Sequence, residues 1–307
     1  MIPQVVAVVG ATATGKSDLA LDLAEALGGE VVNADAMQLY RGMDIGTNKL
    51  PVAQRRGIPH HLLDVLEVTD EATLADYQER AEAAIADILG RGLVPVLAGG
   101  SGLYVRAALD HLEIPPTDPA VRARLEAQSE GEGGHSALRE RLRSVDPAAA
   151  EAIEPNNIRR IIRALEVVEI TGRPFSATAP TKRYRRPSLV IGLRDDWDAL
   201  TARIERRAGR MWEDGLLDEV AVLDAAGLRG GRTASRAIGY SQALAELDGR
   251  ITREEAIGQT AQATRRYARR QESWWRPDHR VEWLDAADPG LAEAATQLAR
   301  RQTEWTP

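Results

Sequence analysis

The sequence predicts an α/β fold: a parallel sheet core with helices on both faces, interrupted by an inserted all-helical subdomain. Three observations carry this expectation. Short apolar runs alternate with amphipathic helical patterns over residues 1–112, the alternation of a parallel sheet covered by helices. A glycine-rich loop joins the first apolar run to the first helical pattern. Residues 113–187 then nearly lack β-branched runs and are rich in helix formers, and strand pattern returns after them.

The first strand is Val5-Val6-Ala7-Val8-Val9, an uninterrupted apolar run that reads as buried on both sides. The loop after it is Gly10-Ala11-Thr12-Ala13-Thr14-Gly15-Lys16-Ser17, a complete Gly-x-x-x-x-Gly-Lys-Ser motif. A helical pattern follows, with Leu19, Leu23 and Leu27 on one face. Strand, loop and helix in that order define a P-loop NTPase-like core. Its glycines let successive N–H groups point at phosphate oxygens, and the helix N-terminus adds partial positive charge. Lys16 can reach a terminal phosphate, and the Ser17 hydroxyl can bind Mg²⁺.

Val31-Val32-Asn33-Ala34-Asp35 is a second short strand ending in polar residues, and His61-Leu62-Leu63-Asp64-Val65 a third. Residues 73–89 form an amphipathic helix through Leu74, Tyr77, Ala81, Ala84 and Ile88. Val94-Pro95-Val96-Leu97-Ala98 is another buried strand, closed by Gly99-Gly100-Ser101-Gly102 and a helix from Leu103. Pro115-Pro116 opens the helical insertion, Glu130-Gly131-Glu132-Gly133-Gly134 divides it, and Arg185-Arg186-Pro187 closes it, giving three or four helices. The core resumes over 188–307 with a strand at Val190-Ile191-Gly192-Leu193, helix over 197–226, a strand at Val281-Glu282-Trp283-Leu284 and a last helix from Leu291.

Composition narrows the function classes. The chain of 307 residues has no cysteine, so disulfides, thiolate catalysis and cysteine–metal sites are excluded. No apolar run approaches the ~20 residues needed to cross a bilayer, and the beginning lacks a basic-then-apolar leader pattern. A cytoplasmic monomer without membrane contact is the expectation. The net charge of −7 argues against nucleic acid, but the basic residues are clustered. All but Lys16, Lys49 and Lys182 are arginine, and Arg265-Arg266-Tyr267-Ala268-Arg269-Arg270 leads into Trp274-Trp275-Arg276. Such runs are commonly solvated helix faces. Interleaved arginine and tryptophan can also pair with phosphates and stack on bases.

Ligands bind at the carboxyl ends of parallel strands. The phosphate loop, Asp35 and Gly99-Gly100-Ser101 should therefore meet. Asp35 reads equally as a helix cap, an Mg²⁺ ligand or a catalytic base. Asn48-Lys49-Leu50-Pro51 lacks the aspartate of a guanine-specificity motif, and no Walker B strand stands out. A nucleotide or metabolite kinase, and a non-catalytic RNA-binding module, both stay open on the residues alone.

Taken together, the motifs resemble the tRNA dimethylallyltransferases (tRNA isopentenyltransferases) nearly end to end. The resemblance rests on the phosphate loop, the run from Asn33 through Lys49, Pro59-His60-His61-Leu62-Leu63-Asp64, and Gly99-Gly100-Ser101-Gly102-Leu103-Tyr104. It continues through Asn156-Asn157-Ile158-Arg159-Arg160-Ile161-Ile162-Arg163-Ala164-Leu165-Glu166, Gly215-Leu216-Leu217-Asp218-Glu219-Val220, Arg236-Ala237-Ile238-Gly239-Tyr240-Ser241-Gln242 and Thr264 through Gln271. Ser101 stands where the family usually has threonine, with the hydroxyl retained.

The resemblance implies transfer of a dimethylallyl group from dimethylallyl diphosphate to the N6 amine of the adenosine beside a tRNA anticodon, with Mg²⁺. It implies Asp35 as general base or amine orienter, Arg207 on the diphosphate, and Ser101 donating near the bridging oxygen. Gly10, Ala11, Thr12, Ala13, Thr14, Gly15, Lys16 and Ser17 would bind the diphosphate. Asp35, Ala36, Met37, Gln38, Ser101, Arg122, Arg159, Arg160, Arg163, Arg265, Arg266, Arg269 and Trp274 would meet the tRNA anticodon stem-loop. A prenyltransferase acting on free adenine nucleotides would share the core but not need the insertion or the basic segment.

Overall fold

The computed structural model describes residues 4–178 and 182–301. Its chain divides into two compact units, Met1–Leu109 with Tyr184–Pro307, and Asp110–Arg183.

The first unit is built on six parallel strands: β1 (Val5–Gly10), β2 (Gly29–Asn33), β3 (His60–His61), β4 (Val94–Ala98), β5 (Ser188–Arg194) and β6 (Val281–Asp285), in the order β3-β2-β4-β1-β5-β6. β1 lies inside the sheet and is buried at every residue, as its continuous valine run requires. The helices of this unit are α1 (Lys16–Leu27), α2 (Leu74–Gly90) and α3 (Gly102–Leu109) before the helical unit. After it come α8 (Trp197–Glu213), α9 (Leu216–Ala225), α10 (Tyr240–Leu247), α11 (Arg253–Trp275) and α12 (Leu291–Arg301).

One face of the sheet presents Val6, Val8, Val31, Val96, Leu189 and Ile191 to α1 and α12. The alternate residues Val5, Ala7 and Val9 are fully buried as well, with α2 packed on β2 and β4, and α11 on β1. At roughly 25 cal/mol per Å² of apolar surface, this double-sided burial is the main stabilising contribution to the unit.

The second unit holds α4 (Pro119–Glu130), α5 (Gly134–Val145), α6 (Pro147–Ala152) and α7 (Ile158–Thr171) around Leu125, Leu138, Leu142, Ile161 and Leu165. Asp118 and Asp146 cap α4 and α6 through their side chains, each followed by proline at the first helical position.

Two elements differ from the sequence expectation. β3 stops at His61 rather than running to Val65, because Leu62 and Asp64 adopt positive φ (63° and 57°). That unfavourable backbone is held by partners: the Leu62 carbonyl accepts from Asn33 Nδ2 at 3.0 Å, and the Asp64 carboxylate from Lys49 Nζ at 2.6 Å. The helix expected over 197–226 is two helices, divided at Gly215, whose φ of 98° leaves the helical region. The segment containing Arg265–Arg270 is the last half of the 23-residue helix α11, opened by a capping box between Thr252 and Glu255.

Candidate active site

The carboxyl ends of the strands converge on one cavity of about 590 Å³. It receives the phosphate loop after β1, Asp35 after β2, Leu63 after β3, Gly99 and Gly100 after β4, and Asp195 after β5. α8 adds Arg203, Arg207 and Arg210, and α11 adds Gln271. This is where a parallel α/β sheet places a ligand.

The phosphate loop is shaped from within and without. Gly10 and Gly15 take φ of 138° and 84°, and Ala13 is left-handed at 66°. Thr14 Oγ1 donates to the Ala11 carbonyl at 2.8 Å, and Lys16 Nζ donates to the same oxygen at 2.5 Å. From α8, Arg203 Nε donates to the Ala13 carbonyl at 3.1 Å while the guanidinium ion-pairs with Asp195. Residues Thr12 to Ser17 line the cavity; Gly10 and Ala11 lie behind it, at the end of β1 and under the loop.

Asp35 is fixed by local chemistry. Its backbone N–H donates to Asn33 Oδ1 at 2.9 Å, and its Oδ1 accepts from the Met37 N–H at 2.9 Å. That second bond starts the single 3₁₀ turn Met37–Leu39. Gln38 Nε2 donates to the Thr47 carbonyl at 3.1 Å, so Gln38 is held in the cavity wall beside Asp35. Ala36 and Met37 are half-buried and outside the cavity lining.

Electrostatics tie three groups together. Burial pushes the Asp35 carboxyl above its ordinary range, opposed by the Met37 N–H and by the charges of Lys16 and Arg207. Burial lowers the Lys16 ammonium to about 8, with Asp35 pulling it upward and Arg207 pushing it further down. Burial lowers Arg207 to about 10, again with Asp35 opposing and Arg210 adding to the fall. Two cations and one carboxylate thus share a desolvated volume, with net positive charge facing it. Arg207 Nη1 lies 3.4 Å from Thr12 Oγ1, while its Nε is buried without a partner. An unsatisfied buried donor beside a phosphate loop is a place for an anionic oxygen.

Other expected residues fall elsewhere. Ser101 precedes α3, its carbonyl accepts from the Val105 N–H at 3.0 Å, and it lies one residue beyond the lining Gly100. Arg265 ion-pairs with Glu205; Arg269 stacks 4.8 Å over Trp197; Arg266 is exposed and has no ion-pair partner among the described residues. Trp274 is 39% exposed and carries Arg106 5.1 Å over its ring.

In the helical unit, Arg122 and Arg163 both bond Glu166 Oε2 at 2.7 Å, and Arg163 also donates to the Pro115 and Pro116 carbonyls. Glu166 is fully buried, so these two arginines are committed to compensating an interior carboxylate. Arg159 and Arg160 stand exposed at the start of α7.

Sequence reasoning did not single out Gln271, Tyr267, Arg203 or Asp195 as site residues. Tyr267, one helical turn before Gln271, lies beside it and close enough to Asp35 for the carboxylate to oppose its ionisation. The spacing of Tyr267 and Gln271 on one face of α11 was the available signal.

The sequence pattern of the family described as IPP transferase matches residues 38–278. The chain belongs to the IPP transferase family. It is 58% identical to the tRNA dimethylallyltransferase of Thermobifida fusca (strain YX), over 96% of this chain and 93% of that one. It is also 58% identical to the tRNA dimethylallyltransferase of Nocardioides sp. (strain ATCC BAA-499 / JS614), over 96% and 95%. Among solved structures, it matches the tRNA isopentenylpyrophosphate transferase of Bacillus halodurans at 40% identity and a TM-score of 0.70, over 97% and 95% of the two chains. A eukaryotic dimethylallyltransferase, described as acting on tRNA, matches at 29% identity and a TM-score of 0.81, over 97% and 77%. These members of the IPP transferase family share both the sequence and the α/β fold of this chain, which favours the prenyltransferase reading over the kinase one.

Proposed function

We propose that this IPP transferase moves a dimethylallyl group from dimethylallyl diphosphate to the N6 amine of the adenosine beside a tRNA anticodon. The observation that carries the reading is the placement of Asp35 in the same cavity as Lys16 of the phosphate loop and Arg207 of α8. The loop N–H groups and the two cations supply positive charge where a diphosphate leaving group gains negative charge. An adenine amine is a weak nucleophile because its lone pair is delocalised into the ring. Asp35 accepts its proton as the C–N bond forms, or holds the amine in line.

The bond balance is simple. The allylic C–O bond breaks with its electrons going to diphosphate, the C–N bond forms from the amine, and one proton leaves nitrogen for the carboxylate. Raised by burial, the Asp35 carboxyl sits closer to a base that works at neutral pH. The Ser17 hydroxyl lines the cavity on the loop. Among the described residues no cluster of three or more acidic or histidine side chains could hold a metal on its own. Ser17 together with diphosphate oxygens suits Mg²⁺, which takes few protein ligands and many from phosphate and water; bound there it would neutralise part of the diphosphate charge.

The target base must leave its stack to reach the cavity. Exposed groups suited to RNA are Arg266, Arg269 and Trp274 in the first unit and, separately, Arg159 and Arg160 in the helical unit. Incubating the protein with dimethylallyl diphosphate, Mg²⁺ and bulk tRNA, then weighing the digested nucleosides, tests the reading. The expected product is an adenosine heavier by one dimethylallyl group. Unmodified tRNA, with consumption of ATP when a small-molecule acceptor is present, would instead identify a kinase.

A further inference from the structure

We infer that Gln271 is a positioning residue that locks the phosphate loop to the Gly99–Gly100 turn, so that helix α11 sets the alignment of the diphosphate site. The inference rests on the diphosphate assignment above and adds a residue that assignment does not use.

The geometry is specific. The Thr12 N–H, in the middle of the loop, donates to Gln271 Oε1 at 2.8 Å across a separation of 259 residues. The other end of the same side chain lies against Gly100. A Cβ on Gly100 would overlap Gln271 Nε2, so a side chain there must displace the carboxamide. Gln271 is 4% exposed and lines the cavity wall. Tyr267 lies one turn earlier on α11, beside the Gln271 side chain. One carboxamide therefore joins the segment after β1 to the segment after β4, from outside both.

An amide suits this position chemically. It offers an acceptor to a backbone N–H and donors on the opposite side, without bringing charge to an anion site. Removing it leaves a part-buried loop N–H short of its partner, which is unfavourable if the loop stays put. The loop can escape that cost only by moving, and movement misaligns the donors that face the diphosphate. Displacements of an ångström at such groups are costly in rate.

The test uses the full chain with Mg²⁺ and inorganic diphosphate as the binding probe, followed by calorimetry, and parallel steady-state assays with tRNA. Gln271→Met keeps length and packing but removes the acceptor. It should raise the dissociation constant for diphosphate about tenfold, leave the KM for tRNA within twofold, and shift the Tm little. Gly100→Ala attacks the same carboxamide from the other side and should reproduce the loss, which also covers the case in which Gln271→Met folds poorly.

The double variant should be no worse than the more damaging single one, because both act through one contact. Diphosphate affinity unchanged in Gln271→Met overturns the inference. So do strictly additive losses in the double variant, or losses of diphosphate and tRNA affinity in equal proportion to a falling Tm. A parent protein that binds no diphosphate would overturn the functional reading itself, a result distinct from these.

Discussion

Lys16, Asp35 and Arg207 are held in a balance that none would adopt alone. Each is destabilised in its charged form by burial; Asp35 partly restores the charge of both cations, they partly restore its own, and Arg207 pushes Lys16 further down. Lys16→Ala should therefore lower turnover on the order of 10²-fold or more while leaving the fold intact, because a charge that stabilises the leaving group is lost. A variant with near-parent turnover, by steady-state assay, would remove the diphosphate from this loop. Asp35→Asn keeps shape and hydrogen bonding but cannot take a proton, so single-turnover rates should fall roughly 10²–10⁴-fold with tRNA binding retained.

The signs also fix a pH profile. Lys16 titrates near 8 in the free protein, so it loses its charge as pH rises past that value. Asp35, raised above its usual range, is protonated and inactive as a base on the acid side. The kcat/KM profile should be bell-shaped with its alkaline limb near 8, and Lys16→Arg should move that limb to higher pH. A profile flat through pH 9 would show that Lys16 does not bear on the reaction. Lys16, Asp35 and the loop were legible because a contiguous motif and a strand end announced them. Gln271, Arg203 and Asp195 were not, since they reach the site from two helices and the turn after β5, far along the chain, where only folding reveals the neighbour.

At the scale of elements, the segment between β2 and β3 is braced rather than floppy. Lys49, 3% exposed at its side chain, donates at 2.6 Å to Asp44 and to Asp64 and at 2.8 Å to the Tyr40 carbonyl. Glu219 of α9 accepts from the Asp44 and Ile45 N–H groups at 3.2 and 2.8 Å and from the Tyr240 hydroxyl at 2.5 Å. The Tyr240 ring in turn lies against Gly46, where a side chain would collide with it. These bonds hold Thr47, which anchors Gln38 beside Asp35.

Lys49→Met should cost about 1–3 kcal/mol in urea unfolding, because the Tyr40 carbonyl and two carboxylates lose a buried donor. Activity should fall through a misplaced Gln38. Stability within a few tenths of a kcal/mol of the parent would show that the brace contributes little. The sequence presented Lys49 as part of a failed guanine motif and as the end of the run from Asn33; its bracing role was hidden because Asp64 reaches it through the left-handed turn at Leu62 and Asp64, which composition does not announce. Conversely, β1, β4 and α2 followed from their apolar patterns to within a residue at each end, since burial dominates those elements.

For the whole molecule, an acidic chain that handles RNA must concentrate its unpaired arginines. Most arginines of the described residues instead close ion pairs, as Arg122, Arg163, Arg203 and Arg265 do. Replacing Arg159, Arg160 and Arg266 with alanine should weaken tRNA binding and flatten its salt dependence by roughly 0.7–0.9 in slope per lost phosphate contact. Inorganic diphosphate binding should stay unchanged. A slope that survives all three changes would place the RNA on another face.

The arginine clusters were visible in the sequence, but which of their members are already paired was not, because pairing depends on what each helix packs against. The central claim is that the cavity couples departure of diphosphate to prenylation of an adenosine within tRNA. The most direct test follows both products in one reaction, with AMP replacing tRNA as the control. One diphosphate should be released for each dimethylallyl adenosine formed in tRNA, with no comparable reaction on AMP. Equal prenylation of AMP, or diphosphate release without prenylated tRNA, would contradict it.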